Sequence, residues 1–366
     1  MKFKDFKRRY ITPFAKISVC VFAFAMLAKF IAMLSPAFAD FFNRYISSFF
    51  RGALAYMTAV LPFSLAEAII IMLIPAAVIF LIYCATSLNS DRLTRRVFDL
   101  VGLICLLLAI FTVNFGIAYD CTPMEEKAGL DAGDLTASDI YDACIIALAE
   151  ADALESEIVR DEIGSAVMPY GFSDMGKKLN VSFENLYGEY KFLSPLYVSP
   201  KRIALSKPMT YTRISGIYTF FTGEANVNTN FPDYSVTFTA AHEMAHQRGV
   251  APEDEANFVA FLACVNSDDP YIRYCGFAEI ANHLSNTLYE ADKDMFYELS
   301  EHFSGELLTE YTGYVQGFSP YANSAVGDVS HAANDAYLKS QGQSAGADSY
   351  GLVSSLAAAY ILENYK

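Results

Sequence analysis

The chain has 366 residues, of which 54% are hydrophobic, and carries a formal net charge of −15. Residues 1–118 hold 12 Lys and Arg against 5 Asp and Glu, and residues 119–366 hold 14 against 36, which indicates a basic, apolar segment joined to an acidic, soluble part. Because the acidic part offers no basic face that could neutralise phosphates, we expect no nucleic-acid partner.

Three apolar runs are long enough to cross a membrane: residues 17–39, 63–88 and 97–119. They predict an α-helical membrane anchor over residues 1–119 and a second domain over residues 120–366. Lys29 is the only charged residue inside the first run, and its long stem allows the ammonium group to snorkel outward. A cleavable signal peptide is the competing interpretation, but the run is long, lacks a small-residue cleavage site and is followed by two more.

Basic residues cluster before the first run and between the second and third: Lys2, Lys4, Lys7, Arg8, Arg9, Arg92, Arg95 and Arg96. The positive-inside rule places both clusters in the cytoplasm. The second domain is then expected outside the cell. The loop of residues 40–62 mixes Arg44 and Arg51 with aromatic residues, a composition suited to the outer membrane interface.

Beyond residue 120 the pattern predicts a mainly helical α+β domain. Apolar periodicity indicates a helix near residues 136–160, and a Gly-, Pro- and Tyr-rich irregular region follows to about residue 210. The segment from Ile214 to Asn228 favours strands that include a sheet edge. Helices are expected from about residue 235 onward, with breaks at Gly249, Pro270 and residues 313–327.

Seven cysteines are present, and three of them lie within or beside the apolar runs. The other four are Cys121, Cys144, Cys264 and Cys275. No two cysteines stand in a C-x-x-C spacing, so a cysteine metal site is not expected. Disulfides are allowed by this arrangement but not required by it.

The strongest chemical signal is the sequence His242-Glu243-Met244-Ala245-His246. On a helix, residues four apart project from one face, so His242 and His246 can bind one metal ion. Glu243 stands beside them, where it can act as general base and then general acid toward a metal-activated water. We expect Ser235 to cap the start of this helix and Gly249 to end it.

A third ligand is expected from the next helix, which we predict to begin at Pro252. Glu253 and Glu255 are the candidates, although acidic residues also favour the first turn of any helix. Two residues turn a helix by about 200°, so only one of the two can face the metal. Glu253 is preferred because Asn257 shares its face and can hydrogen-bond the ring of His242.

These residues carry a family resemblance. The metal helix followed by Glu253-Asp254-Glu255-Ala256-Asn257 resembles the gluzincin metallopeptidases, although the interval is short and Asn257 replaces an aspartate. Most of the chain is similar to an uncharacterised bacterial membrane family, the domain of unknown function 3810, through residues 61–67, 221–228 and 242–261. The resemblance implies a zincin-like domain outside three membrane helices. It also implies a substrate-binding strand that includes Gly223, Glu224, Ala225 and Asn226.

The sequence therefore predicts a membrane-anchored metallopeptidase that holds one Zn²⁺ ion and hydrolyses amide bonds of envelope or extracellular proteins and peptides. The alternative is a non-catalytic zinc-binding sensor or scaffold, in which Glu243 would have no chemical role. We expect His283 and His302 to lie on helix surfaces. Candidates for stabilising the transition state are Tyr314, Tyr321, His331, Tyr337 and Tyr350.

Overall fold

The computed structural model describes residues 10–86, 90–133, 135–343 and 350–365. Its contacts divide the chain into two compact units. The first extends to Cys121 and includes the short segment Thr219–Gly223, and the second comprises Thr122–Tyr218 and the chain from Glu224 onward.

The first unit contains three long helices, α1 (Pro13–Leu34), α4 (Leu65–Thr86) and α5 (Ser90–Asn114). Each includes a stretch long and apolar enough to cross a membrane, which confirms the predicted number of such helices. The first ends five residues before its predicted limit because Pro36 lacks the N–H that would continue the helix. Ser35 instead takes an extended conformation and caps a new helix through its side chain.

The segment predicted as an interfacial loop is mostly helical. It consists of α2 (Pro36–Phe41), a π-helical stretch (Phe42–Ser47) and α3 (Ser48–Ala59). A short 3₁₀ turn, Gly116–Asp120, follows α5 and closes the unit. There the ammonium of Lys29 donates to the carbonyl of Gly116 at 2.9 Å and pairs with Asp120 at 2.7 Å, so this partly buried charge has a partner.

Helices also dominate the second unit. They are α6 (Met124–Ala128), α7 (Ala137–Leu154), α8 (Phe172–Leu186), α9 (Ser206–Thr210), α10 (Asp233–Gln247), α11 (Glu253–Val265), α12 (Pro270–Ala291), α13 (Lys293–Ser300), α14 (Gly305–Phe318), α15 (Ala325–Ser340) and α16 (Tyr350–Asn364), with single 3₁₀ turns at Glu155–Glu157 and Ser319–Tyr321. The prediction of an irregular region up to about residue 210 was wrong for Phe172–Leu186, which form α8. Its apolar positions Met175, Leu179 and Phe183 recur every four residues and are fully buried.

The core of the second unit forms around α12, which packs against α7, α10, α11 and α16. The metal-site helices α10 and α11 lie against each other, and nearly all residues of α11 from Phe258 to Val265 are buried. These residues of α11 are therefore part of the main hydrophobic core. This packing fixes the two helices that carry the predicted ligands.

A small sheet has three strands, β1 (Lys201–Arg202), β2 (Gly216–Thr219) and β3 (Glu224–Val227), in the order β1-β3-β2. The strand β1 runs parallel to β3, with Lys201 opposite Asn226. The strand β2 is an outer strand, which confirms the predicted sheet edge within residues 214–228, and residues 224–226 lie in the middle strand.

Candidate metal centre

The helix α10 ends in a turn that orients one of the predicted metal ligands. Gly249 adopts a left-handed conformation with φ of 101°, and the main-chain N–H of Val250 donates back to Ala245 O at 3.2 Å. This turn brings the carbonyl of Val250 to 2.7 Å from Nδ1 of His246. At its other end α10 begins at Asp233 after Pro232, so Ser235 is a buried residue within the helix and not the predicted cap.

Glu253 is the first residue of α11, one position after Pro252. Its Oε2 lies 3.2 Å from Nε2 of His242 and 3.6 Å from Nε2 of His246. The three potential ligand atoms all lie within 4.8 Å of one another. The structure thus brings together the three residues that the sequence analysis predicted as ligands.

The Nδ1 atom of each imidazole faces a hydrogen-bond acceptor. Nδ1 of His246 faces the Val250 carbonyl, which can only accept, so that nitrogen carries the proton. Nδ1 of His242 lies 2.7 Å from Oδ1 of Asn257, the contact predicted from the spacing on α11. Both rings in their neutral form therefore direct an Nε2 lone pair toward the carboxylate of Glu253. Three acceptors converge on one point, and a positive charge there, from a bound cation or from a proton on one imidazole, offsets their mutual repulsion.

The two distances from Glu253 to the histidines are compatible with a zinc ion. Ligand atoms about 2.1 Å from a tetrahedral zinc ion stand about 3.4 Å apart. The two distances from Glu253 to the histidines bracket this value. Two histidines and one carboxylate also leave a fourth coordination position open, which distinguishes a catalytic site from a closed structural one.

The pKa values of the residues in the cluster depend on one another. Burial alone would raise the pKa of Glu253, but the two histidines hold it well below its usual range. Burial alone would lower the pKa of His246, yet the neighbouring carboxylate of Glu253 outweighs it and raises the pKa to about 9. In the metal-free chain a proton on His246 thus supplies the positive charge that the three acceptors need.

Glu243 lies beside this cluster and is 4% exposed. Burial raises its pKa to about 7, against the opposing effects of the two histidines and of the Tyr218 main-chain N–H, which donates to it. A β-carbon built on Gly216 would stand 2.5 Å from Oε1 of Glu243, so the backbone of β2 lies directly against this carboxylate. The sequence analysis did not single out Gly216. A glycine within a strand-forming segment is nevertheless a recognised sign of close backbone approach.

Glu255 faces away from the cluster. Its Oε1 accepts a hydrogen bond from the main-chain N–H of Met124 at 2.8 Å. Because two residues turn a helix by about 200°, the side chains of Glu253 and Glu255 point in opposite directions, as predicted. This hydrogen bond connects the first turn of α6 to the first turn of α11.

The four residues predicted to bind substrate lie in the middle strand of the sheet and in the turn before it. Gly223 lies in the turn before β3 with φ of 71° and belongs to the first unit. Glu224, Ala225 and Asn226 are at most 2% exposed in the middle strand. The amide of Asn226 donates to the carbonyls of Ile217 and Glu224, which ties β3 to β2.

Among the other candidates, His283 on α12 has an environment that the sequence analysis missed. Burial and the charge of His242 lower its pKa to about 4, so it lies close to the metal-site helix rather than on a free surface. Tyr314 stacks on Phe231, and the hydroxyl of Tyr321 lies 3.3 Å from the amide of Asn230. These contacts show ordinary packing roles for the two tyrosines.

Comparison with known proteins gives one match. The family model described as "Protein of unknown function (DUF3810)" matches residues 40–358, which include part of the first unit, most of the second and every residue of the candidate site. The chain shows no significant similarity to a curated protein or to a solved structure.

Proposed function

This chain belongs to the DUF3810 family, and we propose that it is a membrane-anchored zinc metallopeptidase with a zincin-like catalytic domain. The observation that carries the proposal is the convergence of two Nε2 lone pairs and the Glu253 carboxylate, with both Nδ1 atoms held by acceptors. The cluster, in which the side chains of His246 and Glu253 are 5% and 35% exposed, brings together three groups that can each donate an electron pair to a cation. The separate position of Glu243 adds a base that a purely structural site would not need.

His242, His246 and Glu253 would hold the ion, and Asn257 and the Val250 carbonyl would fix the ring orientations. When bound, zinc supplies Lewis acidity that polarises a substrate carbonyl and acidifies a water. Glu243 would accept a proton from the attacking water as the new C–O bond forms. It would then deliver that proton to the amine nitrogen as the C–N bond breaks, which balances the hydrolysis.

The outer strand β2 replaces β3 as the proposed binding edge for substrate. In the sheet of the described residues β2 is an outer strand, and the close approach of Gly216 places it beside Glu243. A peptide that pairs with such an edge gains main-chain hydrogen bonds with little dependence on side chains. Peptides and unfolded protein segments are therefore the proposed substrate class.

We also propose that the catalytic unit lies outside the cytoplasm. The support is the distribution of Lys and Arg residues, which precede the first and third membrane helices and are depleted relative to acidic residues beyond residue 119. Envelope proteins or extracellular peptides would then be the accessible substrates.

The experiment that tests the function uses the full chain in detergent or nanodiscs with a broad peptide library. Zinc-dependent cleavage that disappears with a chelator and returns with zinc is expected. The variant Glu243→Gln should lose about two to four orders of magnitude in rate while it retains near-stoichiometric zinc. Zinc binding without any cleavage by the unmodified chain would favour the sensor or scaffold alternative, and unchanged cleavage by Glu243→Gln would refute the proposed mechanism.

A further inference from the structure

In the helical segment from Pro36 to Ala59, polar side chains are buried and apolar side chains are exposed. Its buried face carries polar side chains at helical spacing, namely Asn43, Ser47, Arg51 and Thr58, all at most 6% exposed. Its exposed face carries large apolar and aromatic side chains, namely Phe41, Tyr45, Phe49, Phe50, Tyr56 and Met57, all at least 47% exposed. In water this arrangement would be the reverse of a stable amphipathic helix. It is suited to a surface that contacts lipid.

The buried polar face has defined partners at the end of α5. The guanidinium of Arg51 donates to Asn43 Oδ1 at 2.7 Å and to the carbonyl of Asn114 at 2.9 Å. The hydroxyl of Ser47 donates to the carbonyl of Val113. These carbonyls belong to the last turn of α5, which has no further helical N–H groups to satisfy them. A cation there also complements the negative end of the helix dipole.

The contacts of the segment place it at one end of the membrane helices. Ala39 and Phe42 pack with Ala28 and Ala32 near the end of α1 and with Ile117 just after α5. The ends of helices that span a membrane lie near its interface. A segment that caps these ends therefore runs at interface depth.

Helix direction gives an independent reason why this segment does not cross the membrane. Thr12 donates to Asp99, and Lys29 donates to Gly116, and both pairs are separated by 87 residues. The constant separation means that α1 and α5 run parallel. Parallel spanning helices must be joined by an odd number of crossings, and α4, with mean hydropathy 2.7 over its apolar window, provides one. A second crossing by residues 36–59 would make α1 and α5 antiparallel.

We propose that Pro36–Ala59 lies in the plane of the membrane interface, with its exposed aromatic face in lipid at the boundary between headgroups and acyl chains. Continuity with three apolar membrane helices identifies the occupant as lipid. Tyrosine is enriched at this depth in membrane proteins. Exposed Arg44, whose guanidinium lies 5.7 Å from the ring centre of Tyr45, can extend its charge to lipid phosphates. This inference does not depend on the proposed enzymatic function.

The chain contains no tryptophan, which makes single tryptophan probes free of background. The full chain would carry Phe49→Trp, or Tyr56→Trp on the same face as a second probe, in phosphatidylcholine vesicles brominated at shallow or deep acyl positions. Ile74→Trp in α4 and Val329→Trp in the second unit serve as deep and aqueous controls, since both native side chains are 71% exposed.

Both interfacial probes should emit at shorter wavelength than Val329→Trp and be quenched more by shallow than by deep bromines. Ile74→Trp should show the opposite order of quenching. Emission and quenching equal to those of Val329→Trp would mean that the face contacts water or awaits a protein partner, and would overturn the proposal. Quenching in the order shown by Ile74→Trp would place the segment in the acyl core and would also overturn it.

Discussion

Gly216 leaves room for the carboxylate of Glu243. A β-carbon at residue 216 would lie 2.5 Å from Oε1 and 2.7 Å from Cγ of Glu243, and 2.8 Å from a methyl group of Thr239. Real β-carbons do not approach heavy atoms this closely, so a side chain at residue 216 must displace the proposed base or the strand. The outer strand β2 therefore sets the position of Glu243 as well as bordering the site.

Replacing Gly216 with alanine should reduce kcat by about 100-fold, because a shift of the base by about 1 Å is enough to misalign proton transfer. Zinc content should remain near that of the unmodified chain, since no ligand is touched. Steady-state kinetics and metal analysis measure the two effects. Gly188→Ala is the matched control, because nothing lies within 4 Å of a β-carbon built there. Wild-type kcat in Gly216→Ala, together with an inactive Glu243→Gln, would show that the contact does not position the base.

Alanine variants of the two candidate glutamates should differ in zinc binding and activity. Glu253→Ala removes one of the three converging acceptors and should abolish both zinc binding and activity. Glu255→Ala should keep zinc and activity and lose the contact with Met124 N, a cost of about 1 kcal/mol in the free energy of unfolding. Metal analysis of both purified variants, with thermal denaturation for the second, measures these outcomes. Zinc retained by Glu253→Ala and lost by Glu255→Ala would reverse the assignment.

Asn257 should contribute to zinc affinity through His242. The variant Asn257→Leu preserves the size of the side chain but removes the acceptor at Nδ1, so zinc affinity should fall about 10- to 100-fold. Asn257→Asp restores an acceptor and should recover most of the affinity. Competition with a chromophoric chelator measures both constants. Equal affinities for the leucine and aspartate variants would exclude this role.

Removal of the metal should make stability depend on pH. His246 has its pKa raised to about 9 in the folded, metal-free chain, against about 6.5 for an unfolded histidine. Its contribution is fully present below about pH 6.5 and is lost as the pH rises through about 9. Thermal melts of the chelated protein at pH 6.5, 7.5 and 8.5 should show a falling midpoint. His246→Gln should flatten that trend, and an equal slope in this variant would assign it to another group.

The proposed orientation predicts which surfaces a membrane-impermeant thiol reagent reaches in intact cells. Tyr297→Cys, at a side chain that is 59% exposed in the second unit, should be labelled from outside. Arg95→Cys should be labelled only after the membrane is permeabilised. The unmodified chain gives the background from its native cysteines. Labelling of Arg95→Cys in intact cells would invert the orientation.

The sequence by itself determined the features that depend on local spacing. His242 and His246 share a helix face because four residues make about one turn, and the same rule places Asn257 on the face of Glu253. The apolar helices follow from hydropathy over about 20 residues. The signal for α8 was also present in the spacing of Met175, Leu179 and Phe183, but the surrounding Gly, Pro and Tyr residues obscured it.

Tertiary structure alone decided the features that depend on which elements meet. The two-residue strand β1 is too short to carry an alternating pattern, yet its pairing makes β3 the middle strand and leaves β2 at the edge. The role of Gly216 depends on Glu243, which lies in a different element 27 residues later. For residues 36–59, the sequence shows two faces without showing which is buried. The end of α5 decides which face is buried. Carbonyls of its last turn, which have no partner within the helix, accept hydrogen bonds from Ser47 and Arg51, so the aromatic side chains on the opposite face point outward.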